Sequence, residues 1–306
     1  MKKIFSILAM TAVIIFSGCV QDKIDSSDSK PVKSETQKIL PSAPHVNAAQ
    51  TDLFSGVEEK IYSTLNDGTE YSVFLAYPKQ SSESFVYNSK PMRSASMIKV
   101  FILATMMEKI QNGEASLDEP IILKSSDKVG GAGILAGYPS GSELSLGEVA
   151  RLMITESDNT ATNILIDRFG MSEINNYISR NGYGDTVLRR KMMDMDAIYA
   201  GRENYSSVTD LGNIFVKIYN HNCVNENLDE IMIEYLKGQT DTDCFPSALP
   251  GKVIAHKTGA LVGLYDDGGI IYNGDYDVVL VIMTENYTSE YTAIQHMKNF
   301  ARTVIQ

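Results

Sequence analysis

Strand-like segments occur in two groups, one near each end of the folded part of this chain, and this placement limits the possible folds more than any other feature. Apolar residues in alternating or continuous runs predict strands at residues 71–77, 84–87, 252–258, 268–272 and 278–284. Between the two groups, apolar residues recur at helical spacing instead. Repeated βαβ units would alternate the two patterns along the chain, so the sequence predicts an α+β fold.

Helical periodicity indicates that helices open and close the folded part and also fill its middle. The predicted helices span residues 53–65, 96–110, 146–154, 160–169, 208–219, 228–236 and 289–305. We therefore expect one antiparallel five-stranded sheet, built from both chain ends and covered by the terminal helices, beside an all-helical lobe. A cleft between two such parts is a common place for an active site.

Residues 1–18 have the features of a signal peptide. Two lysines precede an apolar run at residues 4–16, which is too short to span a bilayer comfortably. The run ends in the tetrapeptide Phe-Ser-Gly-Cys, which resembles a bacterial lipobox. The resemblance implies cleavage before Cys19, lipidation of its thiol, and an extracytoplasmic protein anchored to the bacterial cell membrane. A plain secretory signal with a coincidental cysteine is the alternative.

The following segment, residues 19–50, has no apolar periodicity and is rich in serine, aspartate, lysine and proline. Such a composition cannot bury enough apolar surface to offset the entropy lost on ordering. We expect a disordered tether there and a single folded domain over residues 51–306. The formal net charge of -11 disfavours nucleic acid as a partner, because phosphate backbones are also anionic.

Three short motifs of reactive and polar residues lie in different predicted elements. They are S-x-x-K at residues 96–99, S-D-N at residues 157–159 and K-T-G at residues 257–259. Taken alone, S-D-N is typical of a helix N-cap, and K-T-G is typical of a strand end with a turn glycine. Their chemistry becomes informative only because all three occur in one chain.

The S-x-x-K motif occurs three times, and only one copy begins a predicted buried helix. There Ser96 and Lys99 lie on one face, one helical turn apart, so that an amine with a lowered pKa can activate the hydroxyl. The other copies begin at Ser27, in the predicted tether, and at Ser125, in a polar turn. Neither of these places predicts a rigid pairing of the two side chains.

In this order, the three motifs resemble those of class A β-lactamases and penicillin-binding proteins. The resemblance covers residues 51–306 and implies the β-lactamase/transpeptidase-like fold. It implies that Ser96 is the nucleophile, that Lys99 is its base for acylation, and that Ser157 relays a proton to the leaving nitrogen. Asn163, four residues after the S-D-N motif, adds to the resemblance.

The resemblance also assigns the substrate-binding residues. Asn159 would bind the side-chain amide of the substrate, while Lys257 and Thr258 would bind its carboxylate. Gly259 belongs to the same substrate-binding segment. The N–H groups of Ser96 and Ala260 would form the oxyanion hole.

One residue of the family pattern is missing. Class A β-lactamases carry a loop glutamate that activates the water for deacylation, and alignment of this region places Met192 there. Asp194, Asp196 and Glu203 are nearby carboxylates that remain as alternative bases. We expect an acyl-enzyme at Ser96 that is released slowly.

The sequence therefore predicts a monomeric serine hydrolase acting on a β-lactam or a peptidoglycan-derived amide or ester. A D-alanyl-D-alanine carboxypeptidase or transpeptidase, and a non-enzymatic β-lactam sensor or decoy, remain as alternatives. The few cysteines and scattered histidines indicate neither a metal site nor a cofactor. A disulfide between Cys223 and Cys244 is open, because an oxidising compartment would permit it. The glycine-rich segment at residues 130–133 is expected to be a loop.

The anchor hypothesis predicts the result of one substitution. Cys19→Ala removes the thiol that would carry the lipid, so the protein should move from the membrane fraction to the soluble secreted fraction. Immunoblotting of the two fractions measures this, with Cys223→Ala as the matched control. Unchanged fractionation of Cys19→Ala would rule out the anchor.

Overall fold

The computed structural model describes residues 53–305, so the predicted signal peptide and tether lie outside the described residues. The strands are β1 (Glu70–Ala76), β2 (Ser84–Tyr87), β3 (Met92–Arg93), β4 (Pro120–Ile122), β5 (Glu143–Ser145), β6 (Tyr205–Ser206), β7 (Val253–Leu261), β8 (Leu264–Tyr272) and β9 (Val278–Glu285). Five of them form one antiparallel sheet in the order β2-β1-β9-β8-β7. This sheet uses both ends of the domain, which confirms the predicted α+β architecture.

The helices are α1 (Val57–Thr64), α2 (Lys99–Gln111), α3 (Leu146–Thr155), α4 (Asn159–Phe169), α5 (Met171–Arg180), α6 (Met195–Tyr199), α7 (Val208–Tyr219), α8 (Glu226–Lys237), α9 (Phe245–Ala248) and α10 (Glu290–Val304). Residues of α1, α9 and α10 pack on one face of the sheet. Helices α2–α5, α7 and α8 pack together on the other face. Over residues 53–305, none of the helices is both long and apolar enough to cross a bilayer.

The alternation of side chains along the strands creates two separate hydrophobic cores. On β9, Val279 and Val281 face the helical lobe, whereas Leu280 and Ile282 face the terminal helices. A sheet covered on both faces must be apolar on both faces, which explains the continuous apolar run of this strand.

Helix α2 lies at the centre of the helical lobe. Every residue from its first, Lys99, through Met107 is buried, so this helix has no solvent-facing stripe in its first two turns. Helix α7 approaches the sheet closely, because a Cβ on Gly212 would lie 2.2 Å from the ring of Phe74 on β1. The buried residues at the start of α2 are thereby held on a rigid support.

The structure differs from the predicted elements in two ways: β8 begins earlier, and several elements were not predicted. Strand β8 begins at Leu264, earlier than predicted, because its polar residues Asp266 and Asp267 find buried partners. The Thr284 N–H donates to Asp266 and the Phe245 N–H to Asp267, so neither carboxyl breaks the strand. The prediction lacks helices α5, α6 and α9 and strands β3–β6. Helices α6 and α9 and these strands are brief, whereas α5 is amphipathic and follows α4 after a single residue, Gly170.

The possible disulfide between Cys223 and Cys244 does not form, and both thiols are free. Cys223 packs against the core of the helical lobe, and its sulfur lies 3.4 Å from the Tyr177 hydroxyl. Cys244 is buried in the core beneath the terminal helices, on the opposite face of the sheet. The two sulfurs therefore belong to different cores and cannot meet.

Candidate active site

Ser96 lies on a short 3₁₀ turn, Ala95–Ile98, that leads directly into α2. Side chains three positions apart eclipse each other in such a turn, so Ser96 and Lys99 project from the same side. The preceding Ala95 has a φ of 43°, a left-handed conformation that costs a residue other than glycine about 1–2 kcal/mol. Among residues 53–305, the half-buried Ser96 hydroxyl has no hydrogen-bond partner, so it is open to an incoming carbonyl.

Lys99, the first residue of α2, has a completely buried amine with three hydrogen-bond acceptors around it. Its Nζ donates to the carbonyl oxygen of Ser157 at 2.5 Å and to Asn159 Oδ1 at 3.0 Å. Burial, and after it the charge of Lys257, lower the pKa of Lys99 well below its usual value. An amine with a lowered pKa gives up its proton easily and can then take one from a hydroxyl.

Ser157 is the point where the two buried lysines meet. Its Oγ accepts from Lys99 Nζ at 3.2 Å and from Lys257 Nζ at 3.0 Å. Ser157 has a φ of 51° and connects the end of α3 to the start of α4. The next residue, Asp158, fixes this turn by capping α4, where its side chain accepts from the Ala161 N–H at 2.8 Å. A hydroxyl between two amines is well placed to pass a proton to a bound substrate.

Lys257 lies on β7, the edge strand of the sheet. Its Nζ also donates to the Thr258 carbonyl oxygen at 2.7 Å. Complete burial lowers the pKa of Lys257 to about 7, although the charges of Asp241 and Asp267 act in the opposite direction. The side chain is therefore charged below about pH 7 and increasingly neutral above it.

The residues that follow Lys257 bring the sheet and the helical lobe into contact. A Cβ on Gly259 would lie only 3.1 Å from Ala95 Cβ and 3.2 Å from Met97 Cγ. Glycine therefore allows β7 to pack against the turn that carries Ser96. Thr258 is buried beside Lys257, and Ala260 is exposed near the end of the strand.

A glycine-rich loop, which the sequence did not connect with the site, packs against the S-D-N motif. Asp158 Oδ2 accepts from the N–H groups of Ile134 and Leu135, both at 2.7 Å. Asn159 Nδ2 donates to the carbonyl oxygen of Gly130 at 3.2 Å. The S-D-N motif thus fixes the glycine-rich loop as well as the start of α4. The N-cap preference of its residues does not predict the loop contact.

Two glycines make this loop contact possible. Gly131 has a φ of 85°, and a Cβ there would lie 2.6 Å from Asn159 Nδ2 and 3.1 Å from Met193 Sδ. A Cβ on Gly133 would lie 2.3 Å from the carboxyl carbon of Asp158. The expected loop is observed, and its glycines are needed where it touches the site residues.

Met192, which alignment places at the glutamate position, is held by its backbone. Asn163 donates to the Met192 carbonyl oxygen at 3.0 Å and accepts from its N–H at 2.8 Å. Two of the alternative carboxylates have structural partners. Asp194 caps α6, and Glu203 forms an ion pair with Arg190 at 2.6 Å.

The S-x-x-K copy at Ser125 lacks this arrangement. Its 3₁₀ turn ends at Asp127, and the Lys128 amine donates to the carbonyl oxygen of Tyr138 instead of facing the serine. The remaining copy, at Ser27, and the predicted lipidation site, Cys19, lie outside the described residues. The structure thus brings Lys99, Ser157, Asn159 and Lys257 together, and Ser96 lies on the 3₁₀ turn that leads into Lys99.

Known proteins resemble the chain over this whole region. The sequence profile of the β-lactamase enzyme family matches residues 57–306. β-Lactamase SME-1 of Serratia marcescens is 26% identical over 200 residues, which cover 63% of this chain and 68% of that protein. The solved β-lactamase of Sphaerobacter thermophilus has a TM-score of 0.75 at 27% identity and covers 83% of this chain and 97% of its own. A variant of PBP-A in an acyl-enzyme complex with penicillin G has a TM-score of 0.74 at 25% identity, covering 84% and 96%.

The buried position of Lys257 predicts a stabilising substitution. Lys257→Met should raise the free energy of unfolding near pH 7 by about 1–4 kcal/mol, since a buried charge is replaced by an apolar side chain. The pKa of about 7 in the folded protein is below that of an unfolded lysine, so the unfolded chain binds more protons between the two values. Wild-type stability therefore rises with pH in this window, and the advantage of the variant should shrink.

Urea unfolding at several pH values measures this difference. Lys252→Met, at an exposed position before β7, is the matched control and should show little change. The prediction is wrong if Lys257→Met does not raise the free energy of unfolding near pH 7, or if the increase does not depend on pH.

Proposed function

The chain belongs to the β-lactamase enzyme family, and from this membership we propose that it is a serine hydrolase acylated at Ser96. Its substrates would be β-lactams or related amides and esters of cell-wall metabolism. The observation that carries the proposal is the meeting of two buried amines, Lys99 and Lys257, at the hydroxyl of Ser157. In this arrangement Lys99 would be the base for Ser96, and Ser157 would pass a proton to the leaving group.

Acylation follows from these contacts. Lys99 takes the proton of Ser96 as the serine oxygen bonds to the substrate's carbonyl carbon. The N–H groups of Ser96 and Ala260 stabilise the negative charge that develops on the carbonyl oxygen. When the carbon–nitrogen bond breaks, Ser157 gives its proton to the leaving nitrogen and regains one from Lys99 through their 3.2 Å contact.

The substrate would be held from two sides. Asn159, whose amide already joins Lys99 to the glycine-rich loop, would also bind a side-chain amide of the substrate. Lys257 and Thr258 would bind a carboxylate on the leaving-group side, with Gly259 keeping the strand close to the nucleophile.

Deacylation lacks an evident base. Met192 has no titratable group, Asp194 is an N-cap, and Glu203 is paired with Arg190. Asp196 is exposed on α6. Since general-base catalysis contributes about 10²–10⁴-fold, hydrolysis of the acyl-enzyme should be slow.

Slow hydrolysis of the acyl-enzyme is compatible with two further functions. A D-alanyl-D-alanine carboxypeptidase or transpeptidase would also be acylated by penicillin, and PBP-A, a structural neighbour, has a variant seen as an acyl-enzyme with penicillin G. A sensor or decoy would be acylated without turnover. Parallel assays separate these functions: turnover of a chromogenic cephalosporin favours a β-lactamase, cleavage of a D-alanyl-D-alanine peptide favours a carboxypeptidase, and trapping alone favours a sensor.

The proposed setting is the outer side of the bacterial cell membrane, with Cys19 as the lipid-bearing residue and the protein as a monomer. Substrates from cell-wall metabolism would be accessible to the domain there.

The nucleophile is tested by covalent labelling with a fluorescent penicillin. Ser96→Ala should abolish labelling, because it removes the only atom proposed to bond to the carbonyl carbon. Ser125→Ala, in the other S-x-x-K copy of the folded domain, is the matched control and should be labelled like the wild type. Labelling that survives Ser96→Ala would refute the proposal.

Deacylation is tested by mass spectrometry of the intact protein after mixing with penicillin. We expect an adduct on Ser96 that accumulates and decays slowly. Met192→Glu should shorten its lifetime, because a carboxylate would stand at a position whose backbone Asn163 already fixes. Met195→Glu, at an exposed site on α6, is the control. Fast turnover by the wild type without an adduct would mean that another carboxylate is the base.

A further inference from the structure

Met193 has a strained backbone conformation that its neighbours hold in place. Its φ is 60°, a left-handed value that residues other than glycine rarely adopt. On one side of it, Asn163 binds both the N–H and the carbonyl group of Met192. On the other side, Asp194 accepts from the Ala197 N–H at 3.0 Å and thereby caps α6. Strained conformations persist where the surrounding structure fixes them, and they are concentrated at functional sites.

The Met193 side chain reaches the glycine-rich loop beside Asn159. A Cβ on Gly131 would lie 3.1 Å from Met193 Sδ and 2.6 Å from Asn159 Nδ2, so the thioether and the amide border the same point. Because Gly131 has no side chain, the space between these two groups stays open. The sulfur of Met193 is therefore placed next to a residue of the candidate active site.

Met193 also presents apolar surface to solvent at this place. It is 45% exposed, whereas Met192, the preceding residue, is 7% exposed and belongs to the core of the helical lobe. A thioether is flexible and polarisable, so it adapts to irregular shapes and makes favourable contacts with aromatic rings. Met192 thus packs inside the protein, and Met193 is accessible to a bound molecule.

We propose that Met193 is a specificity-determining residue, which makes the site favour substrates that carry an aromatic or other large apolar group on the side-chain amide bound by Asn159. This inference rests on the proposed acylation of Ser96 and on the proposed role of Asn159. A substituent of that amide would extend past Asn159 toward Gly131 and contact the thioether of Met193. The preference concerns the opposite end of the substrate from its carboxylate, so it adds to the proposed carboxylate binding without competing with it.

Two penicillins that differ only in this amide test the assignment: one carries a phenylacetyl group and the other an acetyl group. The second-order rate constant for acylation of Ser96 is measured for each by intact-protein mass spectrometry. The ratio of the two constants cancels any change in the nucleophile. The wild type should react faster with the phenylacetyl form. Met193→Ala should lower the ratio about two- to tenfold, since it removes a contact between sulfur and an aromatic ring.

Three further variants separate this contact from a structural effect. Met193→Gln keeps the length of the side chain but loses its apolar character, so it should lower the ratio as Met193→Ala does. Met193→Leu keeps an apolar side chain of similar volume and should leave the ratio within about twofold of the wild type. Met195→Ala, at a methionine of α6 that is 44% exposed, is the matched control and should leave the ratio unchanged.

The outcomes distinguish the assignment from the proposed function. The assignment is wrong, while acylation stands, if the wild type reacts equally fast with the two penicillins or if Met193→Ala and Met193→Gln leave the ratio unchanged. It is also wrong if Met195→Ala lowers the ratio as much as Met193→Ala. If neither penicillin acylates the wild type, the proposed function itself fails and the assignment with it.

Discussion

The site depends on the meeting of Lys99 and Lys257 at one serine hydroxyl. Burial penalises the charge of each amine, and the charge of Lys257 lowers the pKa of Lys99 further. The result is a low pKa for Lys99 and a pKa of about 7 for Lys257. Ser157 makes the arrangement possible, since its oxygen accepts from both, and it does so in a left-handed conformation that Asp158 stabilises from the following position.

The fold brings these groups from separate parts of the chain into one place. Lys99 comes from the central helix of the lobe, and Lys257 comes from the edge strand of the sheet. The contact between the two parts is close at Gly259, which packs on the turn that carries Ser96. A larger residue there would push the strand away from Ser96. The sheet and the helical lobe, with their hydrophobic cores, therefore hold Lys99, Ser157 and Lys257 in position.

The sequence was sufficient for the sheet and the helical lobe, because these depend on the periodicity of apolar residues. It was insufficient where a residue acts at long range. Asp158 has the sequence preference of an N-cap and performs that role, yet its second oxygen holds a loop more than twenty residues away. The predicted strand began only after Asp266 and Asp267, yet both residues lie in β8, since backbone N–H groups of other elements pair with them.

The backbone of the loop around Met192 is held independently of the Met192 side chain. Asn163 binds the backbone of Met192 through two hydrogen bonds, and these contacts do not depend on which side chain the residue carries. The loop can therefore keep its shape when the side chain at this position is apolar. The groups assigned to acylation lie on α2, on the S-D-N turn and on β7, away from this loop in the sequence and supported by different contacts. The contacts that hold the groups proposed for acylation therefore do not depend on the side chain at position 192.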